Sequence, residues 1–453
     1  MIYFKVRKAF DHKALQGIKD RFKEIKGMKD SLKHLFDFIE NGVSPFHAVS
    51  WARKVLEEAG FEELRLKDNW KIEKGGRYFA VPFGTTLYAF TVGAGQGVTG
   101  GIRMAGAHTD TPVLKVKPQP EIIRHGYLQL NTEVYGGPIL NTWFDRPLSL
   151  AGRVAVRGGD GVEAREADLK RPCVYLPNLA VHMNRGINEN GKPIQNQKEL
   201  LPILMMTDLK EPGNAFRDLL AGEIGAESGD ILDWDLCVYN PEKPKTVGWR
   251  DEFVASPRLD DLDSCAALIH GLASGGGRDG LNMVCLFDNE EVGSRSKQGA
   301  DSEMPLLVLS KIFRAFGMDR TEALSYAADG LMLSVDVAHA WHPNYPEVQD
   351  ITNYPVLGGG FVFKSAANQS YAWDALALAE AEDICLSNHI PFQRFAKHSD
   401  TKGGGTIGSI ISSHLPMRTV DMGIGLLAMH SACEMQSAED QESLERFARA
   451  FFD

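Results

Sequence analysis

The chain has 453 residues, of which 43% are apolar and 24% charged, with 49 basic against 60 acidic side chains and a formal charge of −11. That length favours more than one domain in a globular protein of ordinary composition. The acidic excess, without any run of Lys or Arg, argues against a nucleic-acid or anionic-membrane partner, and no apolar run approaches the ~20 residues of a membrane span.

The N-terminus "MIYFKVRKAF" lacks a signal-peptide core. Six scattered cysteines (Cys173, Cys237, Cys265, Cys285, Cys385, Cys433) form no C-x-x-C pair. They read as small buried hydrophobes in a reducing compartment, which predicts a cytoplasmic protein. Residues 1–27 are rich in Lys, Arg and aromatic residues and form an extension of uncertain order, with Met28 as a second candidate start. Leu32, Leu35, Phe36 and Ile39 then recur at helical spacing up to Gly42. Ser44-Pro45 opens a second helix through Phe46, Val49, Ala52 and Leu56, closed by Gly60. Segments 77–83 and 86–93 predict strands, and a further strand runs from Ile102 into "GAHTD".

Between about 112 and 250 prolines and short β-like segments dominate, as in "YLQLNTEVYGG" and "LSLAGRVAVRGG". Helical patterns return at 258, where Leu259, Leu262, Ala266 and Ile269 share a face, and recur over 303–316, 370–388 and 437–451. The run "LNMVCLF" is apolar without alternation, as in a strand covered on both faces of a mostly parallel sheet. The simplest organisation is an α/β domain of mixed sheet and flanking helices, split into 1–111 and 251–453, with a β-rich domain at 112–250 inserted between the halves.

That apolar run ends in "CLFDNEEVGS", which crowds Asp288, Glu290 and Glu291 together. Neighbouring carboxylates repel unless a cation lies between them or one is protonated. A metal site and a solvated turn both answer this locally. Other metal-type residues end other elements. His108 has Asp110 two residues on, a spacing at which a carboxylate can hold an imidazole. Asp260 and Asp261 open a helix, Asp336 ends "LMLSVD", and His430 lies in "LLAMHS". Each has a plain reading: first-turn helix acids, a strand-end turn, a core histidine. His339 and His342 lack an H-E-x-x-H frame and read as loop packing, and "GGGTIG" (403–408) reads as a tight turn, with no phosphate-loop lysine. Five such residues at the ends of successive elements favour a metal centre over five separate accidents.

The ordered motifs "GAHTDTP", "RLDDLDSC", "FDNEEVGS", "SVDVAHAWHPNY", "GGGTIGSI" and "LAMHS" resemble those of the aspartyl aminopeptidase family of dinuclear zinc exopeptidases, from about Met28 to the C-terminus. "NTWFDRPLSLAGRV" and "PNLAVHMNRGINEN" in the inserted region are similar to it as well. The resemblance implies a zinc-exopeptidase fold with an inserted dimerisation domain. It implies two zinc ions per subunit, held by His108, Asp260, Glu291, Asp336 and His430 with Asp260 bridging. It also implies Glu290 as general base, Asp110 orienting His108, and His182 reaching a neighbouring subunit's site in a homododecamer built from dimers. Asp261 stands where the family usually has Asn, and Thr111 where it has Ser.

A ligand set of oxygen and imidazole without thiolate suits zinc, manganese or cobalt. Two such ions would activate a shared water and polarise the scissile carbonyl, with Glu290 moving the proton to the leaving amine. Lys364 in "GGGFVFKSAANQSYAWD" has two readings: a surface lysine on a loop, or, as the resemblance implies, the cation that meets an acidic substrate side chain. The expected activity is removal of N-terminal Asp or Glu from peptides. The rivals are the same hydrolase with a neutral preference, and a catalytically idle assembly protein.

Overall fold

The strand Leu281–Phe287 is buried along its whole length because both of its faces are covered. The computed structural model describes residues 30–453 apart from Lys192, Gly276 and Lys402. The expectations for residues 1–27 lie outside the described residues. Leu281–Phe287 belongs to a nine-stranded mixed sheet, pairing in parallel with Ile102–His108. Leu331–Val335 continues the parallel core on the other side of Ile102–His108, and Arg418–Gly423 follows it. Antiparallel pairings flank this core, Leu87–Val92 on one side and Phe361–Ser365 on the other.

Alternate residues of the central strands enter different cores. Val284 and Leu286 pack with the helices Asp30–Asn41, Pro45–Glu58, Leu259–Ser274, Ala375–Ser387 and Ala438–Phe452. Met283, Cys285 and Phe287 pack with Met304–Ala315, Arg320–Asp329 and Ile407–His414. A strand with two apolar faces needs no polar alternation, which accounts for the unbroken run in the sequence.

The helix ends follow local chemistry. Ser44 holds the extended backbone of a cap before Pro45, but its hydroxyl pairs with the His47 ring at 2.8 Å instead of a backbone N–H. The third late helix starts at Ala375, where Asp374 accepts the N–H groups of Leu376 and Ala377, and not at the expected 370. Among the described residues, three helices of eight or more residues escaped the sequence reading, one of them Ala215–Ile224 in the inserted region. Arg320–Asp329 is opened by a capping box between Asp319 and Glu322, and Ile407–His414 follows directly on the glycines read as a tight turn.

The seven-stranded sheet between Val113 and Tyr239 is antiparallel throughout. Ile231–Tyr239 pairs with both Val113–Arg124 and Pro147–Gly158, which closes the sheet on itself around its own apolar core. A side chain at Gly152 would run into the Asp235 carbonyl, so this closure requires glycine there. Lys245–Val247 pairs instead with Phe253–Ser256, which pairs with Glu434–Ser437.

Candidate active site

The parallel strands converge at their carboxyl ends, where open α/β sheets carry their chemistry. His108 closes Ile102–His108 and sits opposite Phe287. Glu290 and Glu291 open the short turn Glu290–Val292, which follows Asn289 in the left-handed conformation (φ 62°). Asp336 follows Leu331–Val335 directly. Asp260 comes from the start of Leu259–Ser274, and His430 from a left-handed position (φ 66°) after Gly425–Leu426.

Asp260 stands at the centre. Its Oδ1 lies 3.3 Å from His108 Nε2, and its Oδ2 lies 3.3 Å from His430 Nε2. Asp336 Oδ1 is 3.9 Å from His108 Nε2, while Glu291 Oε2 is 3.6 Å from His430 Nε2. Donor atoms each ~2 Å from one tetrahedral ion stand ~3.3 Å apart. The five side chains therefore form two donor groups that share one carboxylate. Asp260 Oδ1 and Glu291 Oε1 are buried and receive no hydrogen bond among the described residues. A buried carboxylate oxygen without a donor is what a cation would satisfy, so these residues fit a metal. Burial alone would raise the Asp260 carboxyl, but His108 and His430 outweigh it and hold it below its usual value.

Both imidazoles are oriented through their far nitrogens. His108 Nδ1–H donates to the Asp110 main-chain carbonyl at 2.9 Å, and His430 Nδ1–H donates to the Gly137 carbonyl at 3.0 Å. Each Nε2 is thereby turned toward the cluster. The Asp110 carboxylate is 3.4 Å from His108 Nδ1. It accepts the N–H groups of Glu290 and Glu291, each at 3.1 Å, and the Tyr135 hydroxyl at 2.6 Å. Asp110 thus steadies the glutamate turn with its carboxylate and the imidazole chiefly with its carbonyl. Burial and the carboxylates Asp110 and Asp288 push the Tyr135 phenol far above its usual range, which keeps it a donor.

Glu290 stands with His108 and Glu291, their donor atoms within 4.8 Å of one another. Burial, with Asp336, Asp110 and Asp260 nearby, pushes its carboxyl up to about 8. Asp261 Oδ2 accepts the His108 backbone N–H at 3.0 Å. Asp261 Oδ2 also lies 3.9 Å from His108 Nε2, and burial together with Asp336, Asp263 and Asp260 drives its carboxyl well up. Sequence reasoning missed Glu434. Its Oε1 accepts the His430 N–H at 2.8 Å and its Oε2 the Asp260 N–H at 3.1 Å. Nothing in "SACEMQS" signals this, because the contacts are to main chain.

Lys364 is only 1% exposed. Its Nζ donates to the carbonyls of Asp336 at 3.0 Å and Val337 at 3.1 Å, and lies 5.0 Å from the Tyr371 ring centre. The surface-lysine reading is therefore wrong: strand Phe361–Ser365 carries the side chain inward, opposite Asp421. Burial would discharge it, but Asp336 and Asp421 outweigh burial and raise its pKa. Tyr371 also lines a cavity of about 310 Å³ with His339, His342, Lys397 and His398. His182, in the turn Val181–Met183, is exposed on the inserted sheet and joins none of the donor groups among the described residues.

Residues 38–452 match the family model described as aminopeptidase I zinc metalloprotease (M18). The chain belongs to the M18 family of zinc aminopeptidases. It is 41% identical over 432 residues to a probable M18 family aminopeptidase 2 of Clostridium acetobutylicum, covering 94% of this chain and all of that one. Among solved structures, Ape4 in complex with Nbr1 superposes with a TM-score of 0.87 at 31% identity, over 98% of this chain and 87% of that one. The S. cerevisiae mApe1 dodecamer superposes with a TM-score of 0.79 at 26% identity, over 94% of this chain and 96% of that one. No helix among the described residues of this M18 aminopeptidase is long and apolar enough to cross a membrane.

Proposed function

We propose that this zinc metallo-aminopeptidase holds two metal ions and removes N-terminal Asp or Glu from peptides. The observation that carries the two-ion reading is the division of the Asp260 carboxylate between His108 and His430, both at 3.3 Å. His108, Asp336 and one Asp260 oxygen would hold one ion; His430, Glu291 and the other oxygen the second. The donors suit zinc and equally admit manganese or cobalt. When bound, the ions supply an activated water and a polarised carbonyl.

The chain's residues do the rest. Glu290 takes the proton from water and delivers it to the leaving amine. Asp110 holds the Glu290 and Glu291 main chain in register with His108. His182 of the partner subunit would complete the site, in a homododecamer built from dimers through the inserted sheet. The dodecameric mApe1 neighbour supports that assembly.

The acidic preference is supported by the cavity beside the cluster. His339, His342, Lys397 and His398 line it, and among the described residues no carboxylate does. The buried charge of Lys364 lies behind Tyr371 in its wall. An acidic side chain entering there meets the Lys397 ammonium and, behind Tyr371, the charge of Lys364. All six cysteines are free, which supports a reducing, cytoplasmic setting. Hydrolysis of peptides beginning with Asp, Glu, Leu and Ala, with and without chelator, tests the reading. Chelator-sensitive cleavage with Asp and Glu ahead is expected. Leu or Ala ahead would reassign the pocket as neutral, and no cleavage of any peptide would favour an assembly protein.

A further inference from the structure

One short segment at the end of an inserted-sheet strand contacts His430 and the Asp110 carboxylate that lies beside His108. Tyr135, the last residue of Tyr127–Tyr135, donates its hydroxyl to the Asp110 carboxylate at 2.6 Å and accepts Asn289 Nδ2–H at 2.9 Å. Gly136, at φ 71°, passes so close to Glu291 that a Cβ there would lie 3.1 Å from the Glu291 Cβ. The Gly137 carbonyl receives the His430 Nδ1–H at 3.0 Å, and the Ile139 N–H donates to the His430 carbonyl at 2.9 Å. Within five residues the segment touches the neighbour of one imidazole, the glutamate turn and both ends of the other histidine. The residues it contacts otherwise belong to the α/β half.

We propose that residues 135–139 act as a positioning strap, through which the inserted sheet sets the metal geometry, with the Tyr135 hydroxyl as its principal contact. The inference rests on the two-ion reading above. The Tyr135 hydroxyl does not touch the donors. It acts through Asp110, whose carboxylate also accepts both glutamate N–H groups and whose carbonyl fixes the His108 tautomer. Removing such an outer contact weakens metal retention without removing a ligand. The other half of the strap acts on His430 through main-chain groups only. Gly136 permits that approach, since any side chain there would meet Glu291 in a backbone conformation that L side chains rarely adopt.

The test is the rate at which zinc leaves the purified full-length protein to an excess of chromogenic chelator. Wild type is measured first, with its total zinc. Tyr135→Phe keeps the ring and loses only the hydroxyl, and should release zinc about 10-fold faster or more. In an Asp110→Asn background the same change should add little, because the hydroxyl works through that carboxylate. Gly136→Ala should also speed release, and it decides the matter if Tyr135→Phe does not fold. Release at the wild-type rate from both variants, or full additivity of Tyr135→Phe with Asp110→Asn, would overturn the strap. A wild-type protein without releasable zinc would sink the metal reading itself, and that is seen before any variant is compared.

Discussion

The Glu434 carboxylate accepts the backbone N–H of Asp260 at 3.1 Å, tying Asp260 to the strand Glu434–Ser437. Its other oxygen accepts the His430 N–H at 2.8 Å, so one buried side chain fixes the main chain under two donors. Glu434→Gln replaces one acceptor by an amide that faces an N–H. A buried donor left without an acceptor costs about 1–3 kcal/mol. The variant should unfold at lower denaturant by that margin and retain less zinc. Unchanged midpoint and zinc content would show that solvent replaces Glu434 at no cost.

The proposed function uses Glu290 as the proton carrier and not as a donor to the metals. Glu290→Gln should keep the wild-type zinc content and lose on the order of 10²–10⁴ in kcat. Loss of a zinc equivalent from the purified variant would move Glu290 into the ligand set.

Lys364 is the cation nearest the cluster that sequence and structure both single out. Its charge faces Asp336 and Asp421 in the interior. Lys364→Met removes the buried charge that faces both carboxylates, so the variant should unfold at lower denaturant than wild type. The proposed role adds a second effect: kcat/KM for N-terminal Asp should fall by about 30-fold or more, with a smaller loss for Leu. Equal proportional losses for Asp and Leu peptides would confine Lys364 to structure.

Away from the metal site, His270 stacks on His34 with ring centres 3.6 Å apart, and His34 Nδ1 bonds Glu445 at 2.9 Å. Burial and then His34 push His270 down to about 3. The native state therefore binds that proton more weakly than the unfolded chain. The stabilisation is full above the ordinary histidine value of 6.5 and is lost as pH falls from there toward 3. His270→Phe keeps a stacked ring and removes the titration. Its stability should decline less steeply than wild type between pH 6.5 and 4, read by denaturant titration at matched metal content. Parallel curves would show that His270 titrates normally.

Much of the site was legible because its residues end apolar runs. A buried strand terminating in His108, in the Glu290–Glu291 pair or in Asp336 leaves a polar group where only chemistry or solvent accounts for it. Lys364 was legible as a cation, but its inward course depends on strand Phe361–Ser365 pairing with Arg418–Gly423, a contact between segments far apart in sequence. Tyr135 and Glu434 were invisible for a different reason. They act on main-chain groups or on another outer residue, and a Tyr at a strand end or a Glu in a strand carries no local signal. The glycines at 403–405 looked like a turn because glycine marks the break before helix Ile407–His414, not the helix itself. The capping box at Asp319 was readable and went unread, since the helix it opens is only weakly amphipathic.

The division of the Asp260 carboxylate between two donor groups is the claim on which the proposed chemistry depends, and metal counting tests it most directly. Protein saturated with zinc and freed of excess should carry two ions per chain by elemental analysis. Asp260→Ala, still folded by circular dichroism, should fall below two, because it removes a donor from both groups at once. One ion per chain in the saturated wild type, or two in Asp260→Ala, would contradict the bridged centre.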